Sequence, residues 1–314
     1  MTERHPFRSE RLELASVFFT GLTGLATFLI LAILAIIIGN VLWHGLPYVS
    51  WHFVTGGTEK DMFDVDKAGV LPLIIGTTSK VVLMTLFVVP VGVITAVYLT
   101  EYARTTALLT RFIRGAVSNL AGVPSIVFGL FGVGFFVYFV GGKMDALLHP
   151  ADPSPVWGQP AILWASLTLA VMTLPVVIVA TEESLRALPQ GLREASLALG
   201  ASKLQTIIKI VLPQALPGIL TGAILSVGRA AGEVAPILMT GAAYYLASLP
   251  KSPTDQFMDL AYHVYILSTQ SVNIEQTKPL LYATVVVLLF LTFALNIVAI
   301  LIRARMRKKM RSLH

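Results

Sequence analysis

Six times along this chain of 314 residues the charges stop for long enough to cross a bilayer, and that repetition limits the fold more than any single motif does. Apolar stretches run over 14–43, 70–99, 115–142, 161–181, 210–250 and 279–302, with Lys80 inside the second and Arg229 and Glu233 inside the fifth. About twenty apolar residues make a helix that spans the hydrocarbon. The overall balance agrees, with 55% apolar residues against 13% charged ones and a mean hydropathy of +0.78. A soluble enzyme with one anchor, a fibrous protein and a disordered chain are all excluded. The reading is an all-α polytopic membrane protein.

The fifth stretch is either two spans or one helix of roughly 25 residues with an apolar extension, and charge parity decides. Arg4, Arg8 and Arg11 precede the first span, while Arg303, Arg305, Arg307, Lys308, Lys309 and Arg311 follow the last. Both ends therefore read as cytoplasmic and the number of spans as even. With six spans, 16 of the 23 basic residues fall inside and five in the outer loops 43–69, 143–160 and 251–278. A seventh span would export the most basic segment, so the net charge of +6 marks the cytoplasmic face and not a nucleic-acid partner. The expected organisation is a cytoplasmic segment 1–13, a membrane domain 14–302 with a cytoplasmic loop 182–213, and a basic tail 303–314. The first apolar run is too long for a signal-peptide core, so it is expected to persist as the first helix. The outer segments read as short loops.

Several chemistries are absent from the sequence. There is no cysteine, hence no disulfide or thiolate site. His44, His52, His149 and His263 fall in predicted outer loops without the spacing of a metal site. Gly141, Gly142 and Lys143 lack the remainder of a phosphate-cradling loop, so no nucleotide site is expected here. Neither a nucleophile elbow nor paired intramembrane carboxylates support an embedded hydrolase. Within the spans, Ala121, Ser125 and Gly129 recur every four residues, as do the pairs Gly218 with Gly222 and Gly228 with Gly232. Such spacing predicts close helix packing.

The cytoplasmic loop is more than a connector. After Pro189, residues 192–199 read as a short amphipathic helix with Arg193 and Glu194 exposed and Leu192, Ala195 and Leu199 on one apolar side. Gly200 ends it, and a second short helix over 202–211 leads to Pro213, where the fifth span begins. Glu194-Ala195-Ser196, Gly200, Ile210, Leu212 and Pro213, at this spacing before the penultimate span, resemble the EAA loop of bacterial ABC importer permeases. Ser196 stands where that family usually has Ala. Two further stretches, 121–131 (AGVPSIVFGLF) and 228–236 (GRAAGEVAP), are similar to signatures of phosphate-import permeases, with Val234 in place of a commoner Thr. Gly76-Thr77 and Ala294-Leu295-Asn296 point to the PstA type over the PstC type.

The resemblance implies a MetI-like permease of six spans in a bacterial cytoplasmic (inner) membrane. It also implies a second, PstC-type permease, two PstB-type ATPase copies that carry ATP and Mg, and an external PstS-type phosphate-binding protein. In that family the EAA loop docks in a groove of the ATPase, with apolar anchors fitting and Arg193 and Glu194 setting register.

Arg229 and Glu233, four residues apart, share a helix face about one turn apart. Counting from Gln214, Arg229 lies about 22 Å along the span, at or a little outside the midplane. Charge at that depth is costly and marks a functional candidate. In the transport reading Arg229 offers planar donors to phosphate oxygens while Glu233 orients it and limits how tightly the anion is held; the alternative is a structural ion pair in the bundle interior. Asn119, Ser125 and Thr173 line the path or bond between helices. Lys80 is expected to snorkel to the outer surface. Two other functions remain open on the residues alone: a permease for another oxyanion such as sulfate or molybdate, and a non-transporting scaffold or sensor.

Overall fold

In the computed structural model, which describes residues 10–57, 68–104, 106–271 and 273–311, six helical segments are long and apolar enough to cross a membrane. They are Ser16–Tyr48, Leu71–Tyr102, Ser125–Leu148, Ile162–Arg186, Lys203–Gly232 and Ile274–Met306. Among the described residues there is no β-strand. In chain order, α1 (Glu10–Gly45) and the short α2 (Trp51–Thr55) precede α3 (Leu71–Val97), which closes in a wider π turn, Tyr98–Tyr102. Next come α4 (Leu108–Ala121), α5 (Ser125–Phe131), a π-wound stretch Gly132–Gly141, α6 (Gly142–Leu148) and α7 (Ile162–Arg186). The remainder is α8 (Gln190–Ala198), α9 (Lys203–Thr206), α10 (Leu212–Gly232), α11 (Ile237–Thr240), α12 (Leu260–Thr269) and α13 (Ile274–Arg311).

Helix α7 is the centre of the bundle. Its buried residues occur all around the helix, and it packs on both α3 and α10. Lipid is as apolar as leucine, so contact between helices depends on close fit. Glycine supplies the fit. A side chain at Gly92 of α3 would meet Val177 Cγ1 at 2.6 Å, and one at Gly222 of α10 would meet Ala180 Cβ at 2.9 Å. Gly218 abuts Ser184, whose hydroxyl donates to the Ala215 carbonyl at 3.0 Å. The amino end of α7 is closed by the last residue of α11 and the chain that follows it. The Ala161 N–H donates to Thr240 O at 2.9 Å, Ile162 N–H to Asp255 O at 2.8 Å and Leu163 N–H to Pro253 O at 3.1 Å. These are among the donors that a helix start leaves without internal partners.

At the periphery, α1 is exposed along its apolar length and meets the bundle where Gly45 lies against Tyr282 and Val286 of α13. Hydrocarbon is the natural cover for such a surface.

Three expectations from the sequence are corrected. The 115–142 stretch is two helices, because Pro124 lacks an amide donor and disfavours helical backbone at Val123. The chain breaks at 122–124, leaving α4 as an amphipathic helix before the spanning segment starts at Ser125. Ala121 and Ser125 thus belong to different helices, and Ala121 is exposed. The second short helix of the loop and the fifth span are one continuous helical segment, Lys203–Gly232, which ends where Glu233 turns extended (φ −80°, ψ 126°). Residues 251–278 are not a plain loop: they contain α12, and Phe257, Met258, Asp259, Leu260 and Ala261 are buried against the bundle. Gly232 has no atom within 4 Å of where a side chain would begin, so its packing role is not present in this chain alone, whereas Gly228 lies against Asn296.

Gly222→Leu is expected to destabilise the detergent-solubilised protein by about 1–3 kcal/mol through overpacking against α7. Gly115→Ala, with nothing near the added methyl, is expected to be neutral or to stabilise by about 0.5 kcal/mol. Thermal unfolding of the two variants side by side checks both.

Candidate functional site

Arg229 occupies the last turn of α10, where the helix dipole favours a cation. Its Nε donates to Glu233 Oε1 at 3.1 Å. The Arg229 side chain is 45% exposed and that of Glu233 23%, so this pair is open on one side and not sealed in the bundle interior. Because Glu233 engages only Nε, the two terminal amino groups of the guanidinium carry no other described bond. Those groups form the planar fork that suits an oxyanion.

The two signature stretches meet next to this pair. A side chain at Gly129 of α5 would come within 2.8 Å of Ala235 O and 3.4 Å of Pro236 Cα, so the chain leaving Glu233 lies on α5 at a glycine. Ser125 opens α5 and is half-buried, while Asn119, near the end of α4, is exposed. Thr173 faces inward, fully buried, and donates to Leu169 O at 2.8 Å. On α13, Asn296 sits against Gly228 with its Oδ1 buried and unbonded. Sequence reading used Asn296 only as a marker of kinship; an amide beside the residue preceding Arg229 is a polar group of the site in its own right.

Lys80 does not snorkel. It is fully buried, and its Nζ lies 2.7 Å from Asp259 Oδ2, off the angle of a hydrogen bond, so the contact is an ion pair. Thr77 Oγ1 donates to the same carboxylate oxygen at 2.8 Å and accepts from the Leu260 N–H at 3.0 Å. The other oxygen, Oδ1, accepts from the Tyr262 N–H at 3.0 Å, capping α12. Gly76 lets the Met258 carbonyl against α3. Desolvation is offset here by an opposite charge and two hydrogen-bond donors to the carboxylate, which keeps both ions inside. Asp259 was missed in the sequence because it lies in a polar connector 179 residues from Lys80; the available signal was that an intramembrane lysine demands an acid.

In the cytoplasmic loop, α8 ends at Gly200, whose φ of +84° suits glycine. Ser202 and Gln205 then form a reciprocal capping box that starts α9. Ser196 is buried and shares a hydrogen bond with Thr206 at 2.9 Å, closing α8 onto α9. Glu194 and Ala195 are exposed, and Leu199 is 90% exposed. Ile210, Leu212 and Pro213 are half-buried where the segment enters the bundle. Arg193 departs from expectation: it turns inward onto Glu101, so its guanidinium is committed within this chain. Among the described residues no cluster of histidine and acidic side chains could hold a metal.

Residues 88–312 match the model of the binding-protein-dependent transport system inner membrane component family. The chain belongs to this family. Among similar proteins, a probable ABC transporter permease, YqgI of Bacillus subtilis, is 34% identical over 70% of this chain and 68% of its own length. The phosphate transport system permease PstA 1 of Mycobacterium tuberculosis is 40% identical over 54% of this chain, a match covering half of that relative. PstA of Pasteurella multocida is 34% identical over 70% of this chain and 71% of its own. The fold is that of a MetI-like importer permease. A bacterial alginate ABC transporter chain superposes with a TM-score of 0.61 at 14% identity, covering 96% of this chain and 97% of its own. A chain of the MetNI methionine ABC transporter gives 0.53 at 20% identity, over 76% and 94%.

Lys80→Met alone leaves a buried carboxylate unpaired and is expected to cost about 3–5 kcal/mol. Lys80→Met combined with Asp259→Leu removes both charges and is expected to recover most of that loss, read as unfolding temperature and yield in detergent. A pH effect comes from His263, which lies outside the six spans and whose imidazole is pushed down to about 4 by burial. The unfolded imidazole titrates near 6.5, so below that pH the unfolded chain takes up a proton that the folded one refuses. Stability falls as pH drops from about 6.5 toward 4 and then levels. At pH 5 the loss is expected to be about 2 kcal/mol relative to pH 7, and His263→Gln should flatten it.

Proposed function

We propose that this chain is the PstA-type permease subunit of an ATP-driven importer of inorganic phosphate, forming half of the translocation path in a bacterial inner membrane. The observation that carries the reading is the Arg229 fork, half open at the end of an otherwise apolar helix and engaged by Glu233 through Nε alone. Phosphate oxygens accept in-plane donors from such a fork. Glu233 keeps the field of the guanidinium from holding the anion too tightly, and release is as necessary as capture.

Import of an anion against a negative interior costs about 2.3 kcal/mol per charge per 100 mV. The energy comes from ATP and Mg on two PstB-type ATPase copies, which receive the exposed apolar residues of the 190–213 loop, Leu199 foremost. A PstC-type permease completes the path, and a PstS-type protein delivers phosphate from outside. This chain's own outer loops have nine acidic residues against five basic ones and would not concentrate the anion. In this reading segments 1–13 and 303–314 are both cytoplasmic.

Labelled phosphate uptake at low micromolar concentration, with and without the gene, tests the proposal. Loss of a high-affinity component that arsenate blocks and sulfate does not is the expected result. Competition by sulfate or molybdate instead would move the cargo to that oxyanion. Arg229→Ala should reduce uptake about tenfold or more while the ATPase stays bound. Full uptake by that variant would remove Arg229 from the path.

A further inference from the structure

We propose that Glu101 is the positioning residue through which the ATPase-facing loop moves the membrane part of this chain, with α3 as the transmitting rod. The inference rests on the reading above that the 190–213 loop docks an ATPase. Glu101 lies in the π turn that ends α3 and is nearly buried. Arg193 of α8 grips it with Nη2 at 2.7 Å and Nε at 3.1 Å from Oε1, and Nε also lies 3.3 Å from Oε2. The same guanidinium donates to Leu185 O at 2.8 Å and Leu188 O at 3.2 Å, at the end of α7. All its nitrogens are used, on two different helices. A charge-assisted clamp of this kind resists displacement in several directions at once. A second, independent contact joins the same loop to the same π turn: Lys203 of α9 sits over the Tyr102 ring, 4.8 Å from its centroid.

Side chains of this loop therefore have different tasks. Leu199 and Glu194 point outward and are free to meet a partner, while Arg193 fastens the helix to the end of α3. From Glu101 to Lys80 is about 32 Å along the helix. At Lys80 the second ion pair attaches Asp259, and with it the segment that follows Glu233. A push on α8 thus reaches that distant segment through α3 by two ionic anchors. The loop also runs directly into α10, which carries Arg229. The docking loop then drives two separate levers, α10 bearing the arginine and α3 bearing the anchor of the chain beyond Glu233.

The test uses the complete importer in proteoliposomes, with Glu101→Gln, Arg193→Glu, and the reversed pair Glu101→Arg with Arg193→Glu. The chain has no cysteine, so Gln256→Cys, an exposed site three residues from Asp259, reports on the distant segment by its rate of reaction with an impermeant maleimide. Wild type is expected to change that rate when ATP is trapped on the ATPase. Glu101→Gln is expected to keep ATPase stoichiometry, hydrolysis and the KM for phosphate, yet lose the rate change and about 90% of transport; the reversed pair is expected to restore a third or more. Normal transport and labelling in Glu101→Gln would overturn the inference and leave the transporter reading intact. So would loss of assembly in Glu101→Gln together with failure of the reversed pair, which describes a merely structural clamp. A wild-type chain that recruits no ATPase would sink the transporter reading and this inference together.

Discussion

A lipid interior supplies no water to a charge, so every ionised side chain inside this bundle must be answered by the protein. Among the described residues four ion pairs tie the bundle and its cytoplasmic loop: Lys80 with Asp259, Arg193 with Glu101, Arg114 with Glu182, and Arg229 with Glu233. They form a series in exposure. The Lys80 pair is sealed and shares its carboxylate with two other donors, whereas the Arg229 pair is the most open of the four and its carboxylate reaches one nitrogen of three. The three less exposed pairs join separate elements: α3 to the start of α12, α8 to the end of α3, and α4 to α7. The open one joins the last turn of α10 to the extended residue that follows it, and both terminal amino groups of its guanidinium are to spare. A charge that only fixes architecture gains from being enclosed; a charge that must bind and release cannot be.

The backbone obeys the same constraint. Helix α7 can lie in the centre because glycines on α3 and α10 let both come close, and because its free amino-end donors are taken by carbonyls of 240–255. That capping has a topological consequence. The irregular chain after Glu233 cannot float, since its carbonyls are committed to α7 and its Asp259 to α3.

Much of this was legible in the sequence. Charge-free length gave the six spans, charge asymmetry gave their number, and the spacing of Glu194 and Gly200 gave the short helix that opens the loop. What escaped were relations between distant residues. Nothing local to Asp259 pairs it with Lys80, and nothing local to Arg193 distinguishes an arginine facing a partner from one clamped to Glu101. The break at Pro124 is a different kind of miss: an apolar count treats 115–142 as uniform, whereas the missing amide and the restricted backbone before proline interrupt it. Periodicity reports which residues share a face only while the helix continues, so the Ala121, Ser125 and Gly129 spacing lost its meaning there.

The end of α10 brings these themes together. Arg229 is the last charged residue of a helical segment that starts at Lys203, so unbroken helix links it to the cytoplasmic loop. Glu233 has already left the helix and belongs to the stretch that lies on α5 at Gly129 and is anchored to α3 through Asp259. The two ends of the 3.1 Å contact are thus held by different parts of the bundle. A tilt of α10 against α3 changes their separation without breaking a turn of helix. In the proposed import cycle such a pair would trade its carboxylate for an oxyanion when α10 and α3 diverge and expel the oxyanion when they return, which is the reciprocity between binding and conformation that an alternating-access cycle requires.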